Sequence, residues 1–235
     1  MKNIKTILFD LDGTLLPMDM EKFTNIYFRE MGIHFHGVFD PKVLMSNVWE
    51  STKVMVKNTE LRTNEDVFWE DFSVRLGDHS DHIKENFMEY YETGFQKVKA
   101  STTQSEAMIN AVKHLKEQGY EVVVATNPMF PRPAIHDRIR WAGFEPEEFK
   151  YITSFEDNHY CKPQLAYYEE ILKVLKRKPE ECMMVGNNAQ EDIIAGKLGI
   201  KTWLVTDCLI DDGKEKMESD YTGTAKEFYE FIKNM

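Results

Sequence analysis

The 235-residue chain is poor in cysteine: Cys161, Cys182 and Cys208 are odd in number, and none stands in a C-x-x-C spacing. That speaks against a disulfide framework and a structural zinc site, and it fits a reducing, cytoplasmic setting. Positive charge is scarce as well. Against 40 Asp and Glu stand 29 Lys and Arg, a formal charge of −11, so there is no electrostatic footprint for nucleic-acid phosphates and no nucleic-acid partner is expected. The stretch from Met1 to Thr14 is a short apolar run broken by acids, where an export signal or a membrane span needs a longer uncharged one. No membrane partner is expected. Internal repeats and low-complexity segments are missing, and no feature specifies an oligomeric state.

What is present is an apolar content of 42%, enough for a sizeable core in one domain or in one domain carrying an insertion. Ile4, Ile7, Leu8 and Phe9 form a β-prone run that stops at Asp10, with Gly13 following as a turn residue. From Pro17 to Lys99 the spacing turns helical. Phe23, Ile26, Tyr27 and Met31 share one face, as do Val43, Leu44, Val48 and Met55; Val67, Phe68, Phe72 and Leu76 mark a third helix, and Ile83, Phe87, Tyr90 and Tyr91 a fourth. Residues 17–99 therefore read as a helical subdomain inserted after the first strand. Beyond Ala100, helices at Ser105–Gln118, Pro133–Ala142, Gln164–Leu175 and Ala189–Leu198 alternate with strands at Tyr120–Ala125, Tyr151–Thr153, Cys182–Val185 and Lys201–Val205. Such alternation predicts an α/β core of parallel strands joined by right-handed crossovers, formed by residues 1–16 and 100–235.

Ligands of an open parallel sheet bind outside the carboxyl ends of its strands. The polar residues at those ends are Asp10 and Asp12, then Thr126 and Asn127, then Lys162 in the loop after the third strand, then Asn187 and Asn188. An aspartate can attack phosphorus and divide one displacement into two easier steps. Asp10 is the candidate, ionised at neutral pH at the ordinary carboxylate value of about 3.9, but an anion approaching a phosphate dianion needs a cation between them. Magnesium, which takes oxygen ligands, would serve. Asp12 is near enough to protonate a leaving alkoxide and later to deprotonate water. Lys162 can neutralise charge, and Thr126 can donate to phosphate oxygens.

Asp10-Leu-Asp-Gly-Thr14 matches the D-x-D-G-T signature of the haloacid dehalogenase-like phosphatases, and the later motifs fall in the same order: Thr126 in Ala-Thr-Asn, Lys162 in Cys-Lys-Pro, and Gly186-Asn-Asn-Ala-Gln-Glu-Asp192. The chain resembles the subgroup with a helical cap after the first motif, similar to phosphoglycolate phosphatases. The resemblance implies a five-stranded Rossmann-like core with helices on both faces and a cap at 17–99. It further implies Asp10, Asp12, Thr126 and Lys162 as catalytic residues, with Thr126, Asn127 and Lys162 at the substrate phosphate. Magnesium would be held by Asp10, Asp12, Asn187 and Asp192, and the substrate would be a small phosphorylated metabolite hydrolysed through an aspartyl-phosphate. In one place the chain departs from the pattern: Asn187 and Asn188 stand where the family has Asp after Gly, which removes a charge that Glu191 or Asp192 would have to restore. A phosphomutase shares every one of these motifs, and a non-catalytic binding or regulatory protein of the same fold is the reading that Asn187 favours.

Other features have plainer readings. His34 with His36, and His79 with His82, are expected on the cap surface, and Asp207, Asp211 and Asp212 in a solvated loop. Phe68, Trp69, Phe72, Phe87, Tyr90 and Tyr91 are expected to pack a core, and Cys161 has no partner base.

Overall fold

A computed structural model describes residues 3–77, 82–213 and 218–234. Six parallel strands form one sheet: β1 (Thr6–Phe9), β2 (Glu121–Val124), β3 (Tyr151–Ile152), β4 (Cys182–Gly186), β5 (Lys201–Val205) and β6 (Tyr221–Gly223), in the order β3-β2-β1-β4-β5-β6. The chain builds outward from β1 to β3, then returns to lay β4 on the other side of β1 and continues to β6. Alternate side chains face opposite layers, as strand geometry demands. Ile7, Phe9, Val122, Val124, Met183 and Val185 join one core, while Leu8, Val123 and Met184 join the other. The sequence expectation of a parallel α/β sheet flanked by helices is met. The sheet carries six strands rather than five, because Tyr221–Gly223 adds an edge strand beside β5.

The insertion is helical: α1 (Met20–His34), α2 (Pro41–Val56), α3 (Asn64–Leu76), α4 (Ile83–Glu92) and a 3-10 helix at Gly94–Ser101. Asp19, Asp40 and Thr63 cap the first three by accepting backbone N–H bonds. The anticipated faces are buried except for Val43, which is 54% exposed. It lies one position off the Leu44, Val48, Met55 stripe, and the polar Ser51 fills that stripe instead. The six aromatics named above do pack the insertion, Trp69 only partly buried. The two strands linking insertion to core run side by side, with Asp19 N–H donating to Ser101 O at 3.0 Å and Thr103 N–H to Pro17 O at 3.0 Å.

The remaining helices are α5 (Glu106–Glu117), α6 (Arg132–Trp141), α7 (Leu165–Leu175) and α8 (Ala225–Ile232). The helix expected over Ala189–Leu198 shrinks to a 3-10 helix at Ile193–Leu198. Asn188 Oδ1 accepts the N–H groups of both Gln190 and Glu191 at 3.0 Å, an alternative to helical bonding that Asn offers readily. α8 was not anticipated, although Thr224-x-x-Glu227 is a capping box before an apolar stretch. Of the acidic loop, Asp207 accepts the Ala225 N–H at 2.7 Å and so anchors α8. His34 bonds the Asn86 carbonyl at 3.0 Å, and His79 lies outside the described residues. No helix among the described residues is long and apolar enough to cross a membrane.

Phe228 on α8 is fully buried, 5.8 Å from the Phe9 ring and 5.3 Å from Trp203. Truncating it leaves a cavity against the central strand, so Phe228→Ala should lower the unfolding free energy by about 3–5 kcal/mol in urea titration. A loss under 1 kcal/mol would mean that α8 is peripheral to the core.

Candidate active site

Four loops converge at the carboxyl ends of β1, β2, β4 and the segment after β3. Asp10 sits one residue past β1, its N–H held by Val185 O at 2.9 Å. Gly13 then turns the chain at φ +83°, and a Cβ there would lie 2.3 Å from Asn187 Nδ2, so only glycine fits. Thr14 Oγ1 donates to Asn187 Oδ1 at 3.0 Å, and Asn187 Nδ2 donates to Cys208 O at 2.7 Å. Asn187 thus ties the loops after β1, β4 and β5 together with its amide, a task for which a carboxylate lacks the donor.

Lys162 is the centre of the site. Its side chain is fully buried, and its ammonium donates to Asp10 Oδ1 at 2.8 Å and to Asp192 Oδ1 at 2.6 Å. Burial opposes its charge, but Asp10 and Asp192 outweigh that and hold Lys162 protonated, well above its ordinary value. Asp10 is pushed up to about 8, chiefly by burial; Lys162 opposes the shift, and the neighbouring charges of Asp192 and Asp12 add to it. One cation between two anions leaves a surplus negative charge. Asp192, expected among the metal ligands, directs one oxygen to Lys162 and the other to the Asn188 N–H at 2.9 Å. It packs so closely that a Cβ on Gly186 would meet its carboxylate at 2.1 Å. Asn127, expected at the substrate phosphate, spends its side chain as a clamp on the Lys162 loop. Its Oδ1 accepts Lys162 N–H at 3.3 Å, while its Nδ2 faces Lys162 O at 3.5 Å and Glu191 Oε2 at 3.2 Å. Thr126 lies two residues past β2, buried, its carbonyl fixed by the hydroxyls of Thr153 at 2.7 Å and Tyr167 at 2.8 Å. Burial pushes the Cys161 thiol up to about 12, so it stays an inert thiol beside this site.

The sequence reading missed Arg138. It lies on α6 along the buried stripe of Ile135, Ile139 and Ala142, and it forms an ion pair through Nη1 with Asp12 Oδ2. A cation on an otherwise apolar helical stripe was the signal available. It also missed Asn64, fully buried at the start of α3, whose Nδ2 donates to Pro128 O at 3.2 Å, immediately after Thr126 and Asn127. That contact belongs to a seam joining the α2–α3 loop to the core. Asn64 N–H donates to Asn158 O at 2.8 Å, Glu65 N–H to Phe155 O at 3.0 Å, and Gln164 Nε2 to Val56 O at 2.8 Å. Beside the seam a cavity of about 50 Å³ is lined by Tyr27, Phe68, Trp69 and Tyr91 of the insertion and by Met129 and Phe155 of the core. It has room for one or two waters, and Asp10 is not among its lining residues.

For a metal, the donors on offer are hard oxygens: the Asp10 carboxylate, to which only Lys162 donates among the described residues, and Asn187 Oδ1. Among the described residues no three His, Cys, Asp or Glu side chains gather as a metal cluster, since an amide occupies the third position. The oxygen chemistry and the surplus negative charge fit magnesium.

A family model described as haloacid dehalogenase-like hydrolase matches residues 4–199. Pyrophosphatase PpaX of Bacillus cereus (strain G9842) is 26% identical over 206 residues, spanning 86% of this chain and 83% of that protein. Among solved structures, the HAD hydrolase YfnB of Bacillus subtilis, bound to magnesium, superposes with a TM-score of 0.60 at 18% identity, covering 99% of this chain and 100% of that one. L-2-haloacid dehalogenase of Xanthobacter autotrophicus gives 0.61 at 15%, covering 99% of each. At these identities the structural likenesses establish the fold alone.

The raised Asp10 sets a sign for stability. Its proton is bound more tightly in the folded chain, so stability falls as pH rises from its ordinary value of 3.8 toward 8. Asp10→Asn removes that penalty and leaves Lys162 paired with Asp192. In metal-free protein at pH 8 the variant should melt higher than wild type, by about 2–4 °C per kcal/mol relieved, and the gap should close near pH 4. An unchanged or lower melting temperature at pH 8 would contradict the surplus-charge account.

Proposed function

The chain belongs to the haloacid dehalogenase-like hydrolase family, and from that membership we propose a magnesium-dependent phosphomonoester hydrolase that acts on a small phosphorylated metabolite through an aspartyl-phosphate. The observation that carries the proposal is the fixed ammonium of Lys162 against Asp10 Oδ1 at the end of the central strand. Asp10 attacks phosphorus with a carboxylate oxygen as the bond to the leaving oxygen breaks, and Asp12 passes a proton to that oxygen. In the second step water attacks the phosphorus of the aspartyl-phosphate, Asp12 takes the water's proton, and Asp10 is released with inorganic phosphate. Lys162 and Thr126 meet the equatorial oxygens, and Asn127 keeps Lys162 in register by clamping its backbone.

Asp10 and Asn187 would hold the magnesium; Asp12, expected among the ligands, is assigned to the proton instead, since Arg138 already takes one of its two oxygens. Bound there, the ion offsets the repulsion between carboxylate and phosphate dianion and restores the charge that the surplus at Asp10 calls for. Asp192 is assigned to anchoring Lys162 instead. Residues 17–99 act as the cap: the seam of hydrogen bonds from Asn64, Glu65 and Gln164 closes it on the core, and water leaves the site when it shuts. An acid at position 12 argues against a dehalogenase, which needs no proton donor there. The likeness to a pyrophosphatase supports including phosphoanhydrides among the substrates to be tried.

The test is phosphate release from a panel of phosphorylated metabolites and inorganic pyrophosphate, with and without magnesium, beside Asp10→Asn. Turnover should need magnesium and should be abolished by the substitution. Release that persists in Asp10→Asn rules out the aspartyl-phosphate route. No release by wild type from any substrate, together with no magnesium binding at millimolar concentration, would replace the hydrolase with a non-catalytic reading.

A further inference from the structure

Arg138 is the largest fully buried side chain among the described residues. Taking a guanidinium out of water is strongly unfavourable unless its surroundings compensate. The stripe it occupies on α6 is otherwise apolar, with Ile135, Ile139 and Ala142 buried beside it, so helix amphipathicity gives no reason for an arginine there. The side chain is held rigidly: Nε donates to Ala134 O at 3.1 Å, one turn back on the same helix, and the guanidinium lies 4.5 Å from the Phe130 ring centre. Its ion-pair partner is the Asp12 carboxylate, 126 residues away in sequence.

The pairing is one-pronged. Arginine presents a planar fork that matches both oxygens of a carboxylate, and the two-pronged form is the common one. Here Nη1 meets Oδ2 while Asp12 Oδ1 and Arg138 Nη2 are both buried without a hydrogen-bond partner. Two orphaned polar atoms on one ion pair are unfavourable, and turning the carboxylate into the fork would relieve both. The fold keeps it turned away, with one oxygen anchored and the other buried without a partner.

We propose that Arg138 is the positioning residue for Asp12: it grips Oδ2 so that Oδ1 faces the oxygen that leaves phosphorus, and the water that later replaces it. This rests on the hydrolase reading above. In the first step Oδ1 delivers its proton to the leaving oxygen as the P–O bond breaks; in the second, the same Oδ1 recovers a proton from the attacking water, so Asp12 ends as it began. Arg138 touches no reacting atom. The unit β2–loop–α6 thereby does three jobs from one stretch of chain: Thr126 at the phosphate, Asn127 on the Lys162 loop, and Arg138 on the proton donor.

A residue acting through Asp12 affects substrates according to how much help their leaving group needs. The experiment compares wild type, Arg138→Gln, Arg138→Lys, Asp12→Asn and Asp10→Asn on p-nitrophenyl phosphate, phenyl phosphate and a simple alkyl phosphate, at saturating magnesium. Arg138→Gln should lower kcat on the alkyl ester by about 10²–10³-fold, the range of a lost proton donor, and on the nitrophenyl ester by under about 10-fold, with KM little changed. Arg138→Lys keeps the charge but not the planar geometry and should fall between. In the Asp12→Asn background, Arg138→Gln should change the rate less than about two-fold, because the interaction it serves is already gone. This last comparison also answers the case in which Arg138→Gln alone folds poorly, since the double variant strands no charge. Equal losses on all three esters, a rise in KM at constant kcat, or additive effects with Asp12→Asn would each overturn the proposal. Wild type that releases no phosphate from any of the esters would instead fail the hydrolase reading, and the role of Arg138 with it.

Discussion

The site is organised around one buried ammonium. Lys162 has no exposure to solvent and bridges two carboxylates from opposite sides of the sheet's centre, Asp10 after β1 and Asp192 after β4. Removing the lysine would leave two buried anions facing each other, and breaking a buried ion pair in this way is unfavourable by about 3–5 kcal/mol. Much of the neighbouring chain follows from keeping that cation in place. Gly186 has no side chain because Asp192 fills the space beside it; Asn188 caps two N–H groups so that Asp192 can fold back; Asn127 holds the Lys162 backbone from the far side; and the Tyr167 ring lies 5.8 Å from the ammonium. The 3-10 geometry at Ile193–Leu198 belongs to the same arrangement.

The charge balance links this packing to chemistry. Two separate ion pairs serve the two aspartates of the first loop: Asp10 shares Lys162 with Asp192 and keeps a surplus charge, whereas Asp12 has Arg138 to itself. The first arrangement raises the Asp10 carboxyl and suits a site that takes up a cation, while the second fixes a carboxylate by one oxygen and leaves the other without a partner. Asn187 lies between them and joins three loops through hydrogen bonds that only an amide can make in both directions. The lost carboxylate at this position therefore has a structural role, which a reading of the motif as a weakened metal site does not convey.

Much of the fold was legible because its signals are local. Apolar runs ending in polar turns gave β2, β3, β4 and β5 to within one residue and β1 to within two, and helical spacing gave the four long helices of the insertion. Val43 was misplaced by one position on its helix, since adjacent apolar residues do not reveal which one lies in the stripe. β6 and α8 were overlooked: a three-residue edge strand has too little pattern to stand out, and the capping box at Thr224 was the cue available for the helix. Asp10, Asp12, Thr126 and Lys162 could be named because each follows a strand, and parallel strands bring such ends together.

The sequence by itself thus determined the order of strands and helices, the residues at the strand ends, and the family, because periodicity and short motifs are properties of neighbouring positions. The tertiary structure alone decided how those residues share charge. That Asp192 serves Lys162, that Asn127 clamps a loop, and that Arg138 from a distant helix holds Asp12 depend on which side chains meet across 30, 35 and 126 positions. Pair distances of this kind are set by the packing of the sheet against its helices, and no local pattern encodes them.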